Sequence, residues 1–415
     1  MGYSQKVIVV GAGPAGMMAA IKAASPGSSV IILEKKSIPG NKLLISGKGR
    51  CNLTNACDLD SFLKRFSKSG QFLRDAFKKF FNKELIDFFE SRGLKLKVER
   101  QLRVFPVTDR SNHILDVLKQ ELRKKGVEVE VSVEVKDILI KDNRVAGVVL
   151  ADSRTIFADK VILATGGVSY SFTGSDGGGL RIAKKLGHTV TDLRPGLVPL
   201  EVKQGYPKDL EGLTLKNIRL VFSDGSKKIE SETGELVFTG FGVSGPLVIG
   251  LSGIIADWLF AGRSVFVNID LKPALTGEQL DRRFLSEFAA NSKKSIRNAI
   301  KEFLPLRLID CFLDIAKIPP DKKVGQVNQK ERKTLVSLLK GLRLDIIKAR
   351  PIEEAMVTRG GVSLKEIDPR TMQSRLIRGL YFAGEIIDVD ADTGGFNLQA
   401  AFSTGYLAGE SAGVN

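Results

Sequence analysis

The chain has 415 residues, 43% of them apolar and 27% charged, and a formal net charge of +16 from 63 basic and 47 acidic side chains. A single core seldom grows past ~250–300 residues, so more than one domain is expected, and this composition excludes wholesale disorder. Three cysteines (Cys51, Cys57, Cys311) without a C-x-x-C pair exclude a disulfide framework and a zinc site, and two histidines (His113, His188) exclude a multi-histidine metal centre.

From the N-terminal end, residues 6–10 read as a short buried strand, 15–24 as an Ala/Met-rich helix and 29–33 as a second strand, with Pro26-Gly27 breaking the chain between the last two. A right-handed crossover makes the two strands parallel neighbours. The apolar run at 7–10 is too short for a signal-peptide core, and no stretch approaches the ~18–20 residues of a membrane span, so a cytoplasmic protein with no membrane partner is expected. Residues 59–92 are helical in pattern, with Phe72, Phe77, Phe80, Phe81, Phe88 and Phe89 marking a core stripe. Another helix covers 114–125, a strand and hairpin follow over 127–150, and a buried strand at 160–164 runs into Thr165-Gly166-Gly167. Short β-like runs dominate 193–270, residues 276–340 are mainly helical, and beyond 349 the chain is Gly-rich and β-like until a closing helix after Gly395.

The residues at 11–16 read Gly-Ala-Gly-Pro-Ala-Gly, a G-x-G-x-x-G turn between strand and helix. The first glycine permits the turn, the second lets a diphosphate approach the backbone, and the third brings helix and strand together. Amides at the helix start then meet the phosphates. Glu34 closes the second strand 18 residues after Gly16, where a carboxylate accepts the ribose hydroxyls and repels a 2′-phosphate. At the other end, residues 380–385 read as a last buried strand ending in Gly384 and Glu385, and Gly394-Gly395-Phe396-Asn397-Leu398 opens the closing helix. A strand-end carboxylate suits a ribityl chain, and a helix N-terminus suits a flavin pyrimidine carbonyl.

Over its whole length the chain resembles the YhiN/BaiN-type bacterial flavoproteins, a group that includes aminoacetone oxidase-like enzymes. The resemblance rests on GNKLLISGKGRCNLTN at 40–55, TGSDG at 173–177, SGP at 244–246, AMVTRGGV at 355–362 and the Gly-rich run 384–409. It implies an α/β fold, with a discontinuous Rossmann-like (glutathione-reductase-type) FAD domain carrying a β-rich insertion domain and a small helical domain. The corresponding boundaries are 1–192 and 358–415 for the FAD domain, 193–272 with 342–357 for the β-rich domain, and 273–341 for the helical one. Carried over by residue, the resemblance places Gly11, Gly13, Ala15 and Gly16 at the FAD diphosphate, Glu34 and Lys35 at the ribose, and Val135 at the adenine. Asn41, Lys42, Ser46, Arg50 and Asn52 fall in the loop beside the flavin, and Gly384, Glu385, Gly395, Phe396, Asn397 and Leu398 at the ribityl and ring end. The chain departs from the family at Thr239-Gly240-Phe241-Gly242, where Thr-His-x-Gly is common.

No second G-x-G-x-x-G follows a strand, so one site facing the flavin is expected to serve substrate and redox partner in turn. The first expectation is oxidation of a small amine with reoxidation by oxygen or another acceptor. The alternative is NAD(P)H-driven reduction of an activated alkene or ketone on a steroid-like substrate. A third reading is an RNA-associated flavoprotein, because residues 281–350 hold 17 Lys/Arg against 8 Asp/Glu. Their sparse aromatics fit a solvated helical surface instead. Cys51, in the flavin loop without a partner thiol, reads as a space-filling residue. Tyr170, Thr239 and Arg359 are polar candidates, but no catalytic acid or base is assigned.

Overall fold

The computed structural model describes residues 5–67 and 69–414, in two compact units: Met1–Gly196 with Ile352–Asn415, and Leu197–Pro351. The first unit is built on a five-stranded parallel sheet. Its strands are β1 (Gln5–Val10), β2 (Ser28–Glu34), β3 (Glu128–Val131), β4 (Lys160–Leu163) and β5 (Leu380–Phe382), in the order β5-β4-β1-β2-β3. Val7, Ile8 and Val9 are fully buried, as expected of a central strand covered on both faces. An antiparallel meander (Val135–Lys141, Arg144–Leu150, Thr155–Phe157) lies between β3 and β4 in sequence.

Between β1 and β2 runs helix α1 (Pro14–Ala23), and the chain closes with helix α2 (Phe396–Gly413). Ala15, Ala19 and Ala23 of α1 face Gly405, Gly409 and Gly413 of α2, each pair four residues after the last, so the helices run parallel. A Cβ on Gly405 would stand 2.2 Å from the Ala15 carbonyl oxygen, and one on Gly409 2.1 Å from that of Ala19. The backbones are therefore in contact, an approach that only glycine permits.

The stretch 59–92 is not one helix. It breaks into Leu59–Leu63, Arg74–Lys79 and Asn82–Glu90 with a 3₁₀ turn at Gly70–Leu73, and Lys68 lies outside the described residues. Gly70 causes one break, since it sits against the Leu63 carbonyl, and Phe80 causes another by being extended (φ −152°). The short pieces wrap their phenylalanines onto α2: Phe62 meets Phe396 edge-on at 4.7 Å, and Phe80 stacks on Tyr406 at 4.5 Å.

In the second unit all strand pairs are antiparallel. Thr214–Ser223 pairs with Gly234–Thr239 on one side and Val265–Asp270 on the other, which closes six of the seven strands into a ring. Helices Gly277–Ala290, Leu306–Ala316 and Gln329–Lys340 lie between the last two strands in sequence. Phe284, Phe312 and Leu335 join Leu220, Phe222 and Phe238 in one hydrophobic cluster, so the helical stretch shares its core with the sheet.

Gly409→Ala forces a methyl group into the Ala19 carbonyl and is expected to lower the unfolding free energy by about 3 kcal/mol. Gly413→Ala, where the gap is 2.8 Å, should cost less. Urea midpoints read both, and an unshifted Gly409→Ala midpoint would contradict backbone contact between the helices.

Candidate cofactor and active site

The carboxyl ends of β1, β2, β4 and β5 lie along one edge of the sheet, the edge where open α/β folds bind ligands. Gly11 (φ +101°) makes its turn there, with room for no side chain because a Cβ would meet the Ala164 carbonyl oxygen at 2.7 Å. Gly16 presses on the Gly11 carbonyl, and Gly13 opens onto free space. No side chain caps the start of α1, and Pro14 at its first position donates nothing. The first-turn amides and the positive helix end thus face outward beside Gly13, a ready anion site.

Glu34 is anchored beside this turn. One carboxylate oxygen accepts from the Ala12 amide (2.7 Å) and the other from the Lys36 amide (2.9 Å). Lone pairs remain on both oxygens for hydroxyl donors. Next to it is a polar cavity of about 410 Å³ lined by Lys35, Lys36, Val133, Glu134, Leu150 and Asp176, with Lys35 paired to Asp176 at 2.6 Å. Val135 lies just past this lining, buried and opposite Leu150 in the meander.

Farther along, the loop after Asn41–Ile45 folds through four left-handed residues, Gly47, Lys48, Gly49 and Cys51. Asn41 opens that short helix, and the Ser46 hydroxyl donates to the Leu43 carbonyl. Arg50 is engaged by protein alone: its guanidinium binds Glu99 (2.5 Å) and Asp109 (2.6 Å) and lies over Phe105. Asn52, with its carboxamide turned to satisfy both ends, donates to the Thr54 carbonyl and accepts from the Gly395 amide at 3.1 Å. The loop is thereby tied to the start of α2.

That start has the same character as α1. Gly395 (φ +97°) rests on the Thr54 backbone, where a Cβ would clash at 2.4 Å, and no side chain caps the helix. Phe396 points into the core, Leu398 is partly buried, and the Asn397 carboxamide bridges the Ala391 amide and carbonyl. Gly384 sits against Ala15, its amide donating to Thr404 Oγ1.

Glu385 anchors a node that sequence reasoning only half found. Lys42 Nζ donates to Glu385 (2.6 Å) and to Ser169 Oγ (2.7 Å), while the other Glu385 oxygen accepts from the Thr358 amide (2.7 Å) and Ser169 Oγ (3.0 Å). Ser169 and Thr358 are buried polar residues; Thr358 falls in the AMVTRGGV stretch, but the sequence singles out neither of them. Nearby, the Thr165 hydroxyl is buried without a partner.

Of the three polar candidates, Tyr170 and Arg359 belong to the first unit and Thr239 to the second. Arg359 pairs with Asp390 at 3.3 Å. Tyr170 adopts φ +50° against Phe172, and burial raises its hydroxyl pKa. Thr239 belongs to the second unit, where the adjoining Gly240 leaves space occupied by the Glu211 carboxylate. His188 is buried after the Gly178–Lys185 helix and bonded to Ser374, and burial lowers its pKa, while His113 bonds Thr108 at the surface. Among the described residues no group of side chains could hold a metal ion, and no helix is long and apolar enough to cross a membrane.

The donors present fit a dinucleotide: two uncapped helix starts, a carboxylate pinned beside the first, and a side-chain-free cradle at Gly13. The class so defined is that of a Rossmann-type, FAD-dependent oxidoreductase. The chain belongs to the HI0933-like protein Rossmann domain family, whose model matches residues 5–411. It is 33% identical to a 3-dehydro-bile acid delta(4,6)-reductase of Clostridium scindens, covering 98% of both chains. It is 30% identical to a ribosomal RNA dihydrouridine synthase of Escherichia coli, covering 97% of this chain and 96% of that one. In fold it is similar to a 3-ketosteroid-delta4-(5alpha)-dehydrogenase from Rhodococcus jostii (TM-score 0.50, 17% identity, covering 100% and 98% of the two chains).

Burial pushes the Cys51 thiol up to about 12. Only the thiolate is reactive, so at pH 8 the folded protein should leave Cys51 unlabelled by iodoacetamide, and the unfolded chain should label it. Peptide mapping decides, and rapid labelling of Cys51 in the native state would refute its burial.

Proposed function

We propose that the chain reduces a carbon–carbon double bond conjugated to a carbonyl, drawing electrons from NADH or NADPH through FAD. The observation that carries this reading is chemical. Two relatives of 30% identity or more have names that describe related reductions, one in a 3-oxo steroid with 4,6-unsaturation and one at the uracil double bond. In both, the bond reduced is conjugated to a carbonyl. Amine oxidation with oxygen as acceptor draws no support from these names.

In this reading the diphosphate rests on Gly11, Gly13, Ala15 and Gly16, the ribose on Glu34 and Lys35, and the adenine in the cavity leading to Val135. The loop with Asn41, Lys42, Ser46 and Asn52 borders the ring, and Arg50 holds that loop from behind. Gly384, Glu385, Gly395, Phe396, Asn397 and Leu398 frame the ribityl chain and pyrimidine, chiefly through backbone. Reduced FAD held there would supply hydride for the β-carbon of the conjugated system, with a proton from solvent completing the α-carbon. In this reading the start of α2 would offer a partial positive charge to the reduced ring, with Lys42, paired to Glu385 and bonded to Ser169, beside it. Three free thiols suit a reducing compartment such as the cytoplasm. Between the two substrate classes, the excess of positive charge over 281–350 favours RNA uridine.

Under anaerobic conditions NADH or NADPH should bleach the flavin, and ribosomal RNA should restore its colour, with a 3-oxo-4-ene steroid as the comparison. Bleaching by amines, and none by either nucleotide, would sink the reading. Glu34→Ala should weaken FAD binding by about 10–100-fold in a flavin-fluorescence titration, the loss of a charge-assisted contact worth ~1.5–3 kcal/mol.

A further inference from the structure

Of the 17 basic side chains of 281–350, seven are ion-paired and ten are not, and two groups of five stand out. Arg297, Lys322, Arg332, Lys340 and Arg343 each hold a carboxylate of the same unit. Lys293, Lys294, Lys323, Lys330 and Lys333 are exposed and make no ion pair. The fold gathers this second group. An antiparallel bridge joins Ser295 to Lys323, with the Val324 amide donating to the Lys294 carbonyl and the Gly325 amide to that of Ser292, both at 3.0 Å. This sets Lys293 and Lys294 alongside Lys323. Directly afterwards Asn328 caps the Gln329–Lys340 helix, on which Lys330, Lys333, Thr334 and Ser337 share one face and line a shallow groove of about 410 Å³.

The neighbouring acids do not neutralise this arc. Glu331 is held by Lys322, Asp281 accepts both Arg332 nitrogens and feels Lys333 only at longer range, and Asp321 lies near Arg297. Like charges gathered without counter-charges repel, and a polyanion relieves that repulsion. The Ser337 hydroxyl suits a phosphate oxygen, while that of Thr334 donates to the Lys330 carbonyl at 3.0 Å, and the arc contains no aromatic residue on which a base could stack. We propose that this lysine arc is the surface on which the phosphate backbone of a folded RNA docks, read by charge and shape rather than by base. The proposal rests on the RNA reading given above.

The test uses the full-length, FAD-loaded protein and deproteinised ribosomal RNA. Glutamine at all five lysines should weaken binding about 30-fold near physiological salt and flatten the slope of log K against log salt by about 3.5, five contacts at ~0.7 each. Flavin content and the rate of flavin bleaching by NAD(P)H should not change. A triple variant, Lys293→Gln, Lys294→Gln and Lys323→Gln, should flatten the slope by about 2, three contacts at ~0.7 each. A control with glutamine at Lys64, Lys95, Lys125, Lys136 and Lys141, exposed in the other unit, should retain the wild-type slope. Dihydrouridine formed by the wild type reports on the reaction separately. If it forms and the five-site variant binds RNA no worse than the control, the arc is overturned and the reaction stands. If the wild type binds phosphatidylserine vesicles through these lysines but not RNA, or neither binds nor modifies RNA, the RNA substrate falls with the arc.

Discussion

The first unit depends on the backbone contact between α1 and α2. Three glycines of α2 lie on three alanines of α1, at a spacing of four residues, so the helices are fixed in rotation and in register. Register has a consequence for the ligand. With Gly405 opposite Ala15, α2 begins about eight residues before α1 does, which at 1.5 Å per residue is roughly 12 Å along the axis. Two positive helix ends therefore point the same way with a fixed offset, one suited to a diphosphate and the other to an anionic ring. A slip of one turn would shift that offset by ~5 Å, so the packing of two helices far apart in sequence sets the geometry of the site.

The charged groups of the site are held by the protein's own hydrogen bonds. Glu34 is clamped by two amides and Glu385 by an amide, a hydroxyl and an ammonium. Such groups lose little freedom when they meet a cofactor, which is the energetic value of preorganisation. Lys42 gains from the same arrangement, because a flexible ammonium fixed by Glu385 and Ser169 delivers its charge at one place. Arg50 is the contrasting case. Bound by two carboxylates, it stabilises the loop rather than presenting a free charge.

What the sequence made legible was local. The turn at 11–16, Glu34 at its strand end, the buried runs of β1, β4 and β5 and the helix after Gly395 each declare themselves within a few residues, because phosphate turns and buried strands demand particular residues in order. The ring of strands in the second unit did not, since its closure depends on Thr214–Ser223 pairing with two strands that no local pattern connects. Ser169 and Thr358 were missed for a similar reason, being single buried polar residues that gain meaning only beside Glu385. The small residues recurring every fourth position at 405, 409 and 413, matched at 15, 19 and 23, were a readable signal of close helix packing.

Relatives whose names concern a steroid and an RNA share this frame nearly end to end, so the frame cannot be what distinguishes their substrates. The reacting fragment is small in both cases, a double bond and its carbonyl, and a pocket shaped for it has little reason to differ. Discrimination has to come from contacts with the rest of the substrate, which for an RNA is mostly phosphate. Charge that is unpaired at the surface and paired elsewhere in the same helices is therefore informative in a way that net charge is not. The +16 of the whole chain says only that anions are attracted, whereas five unpaired lysines gathered on one surface would say where.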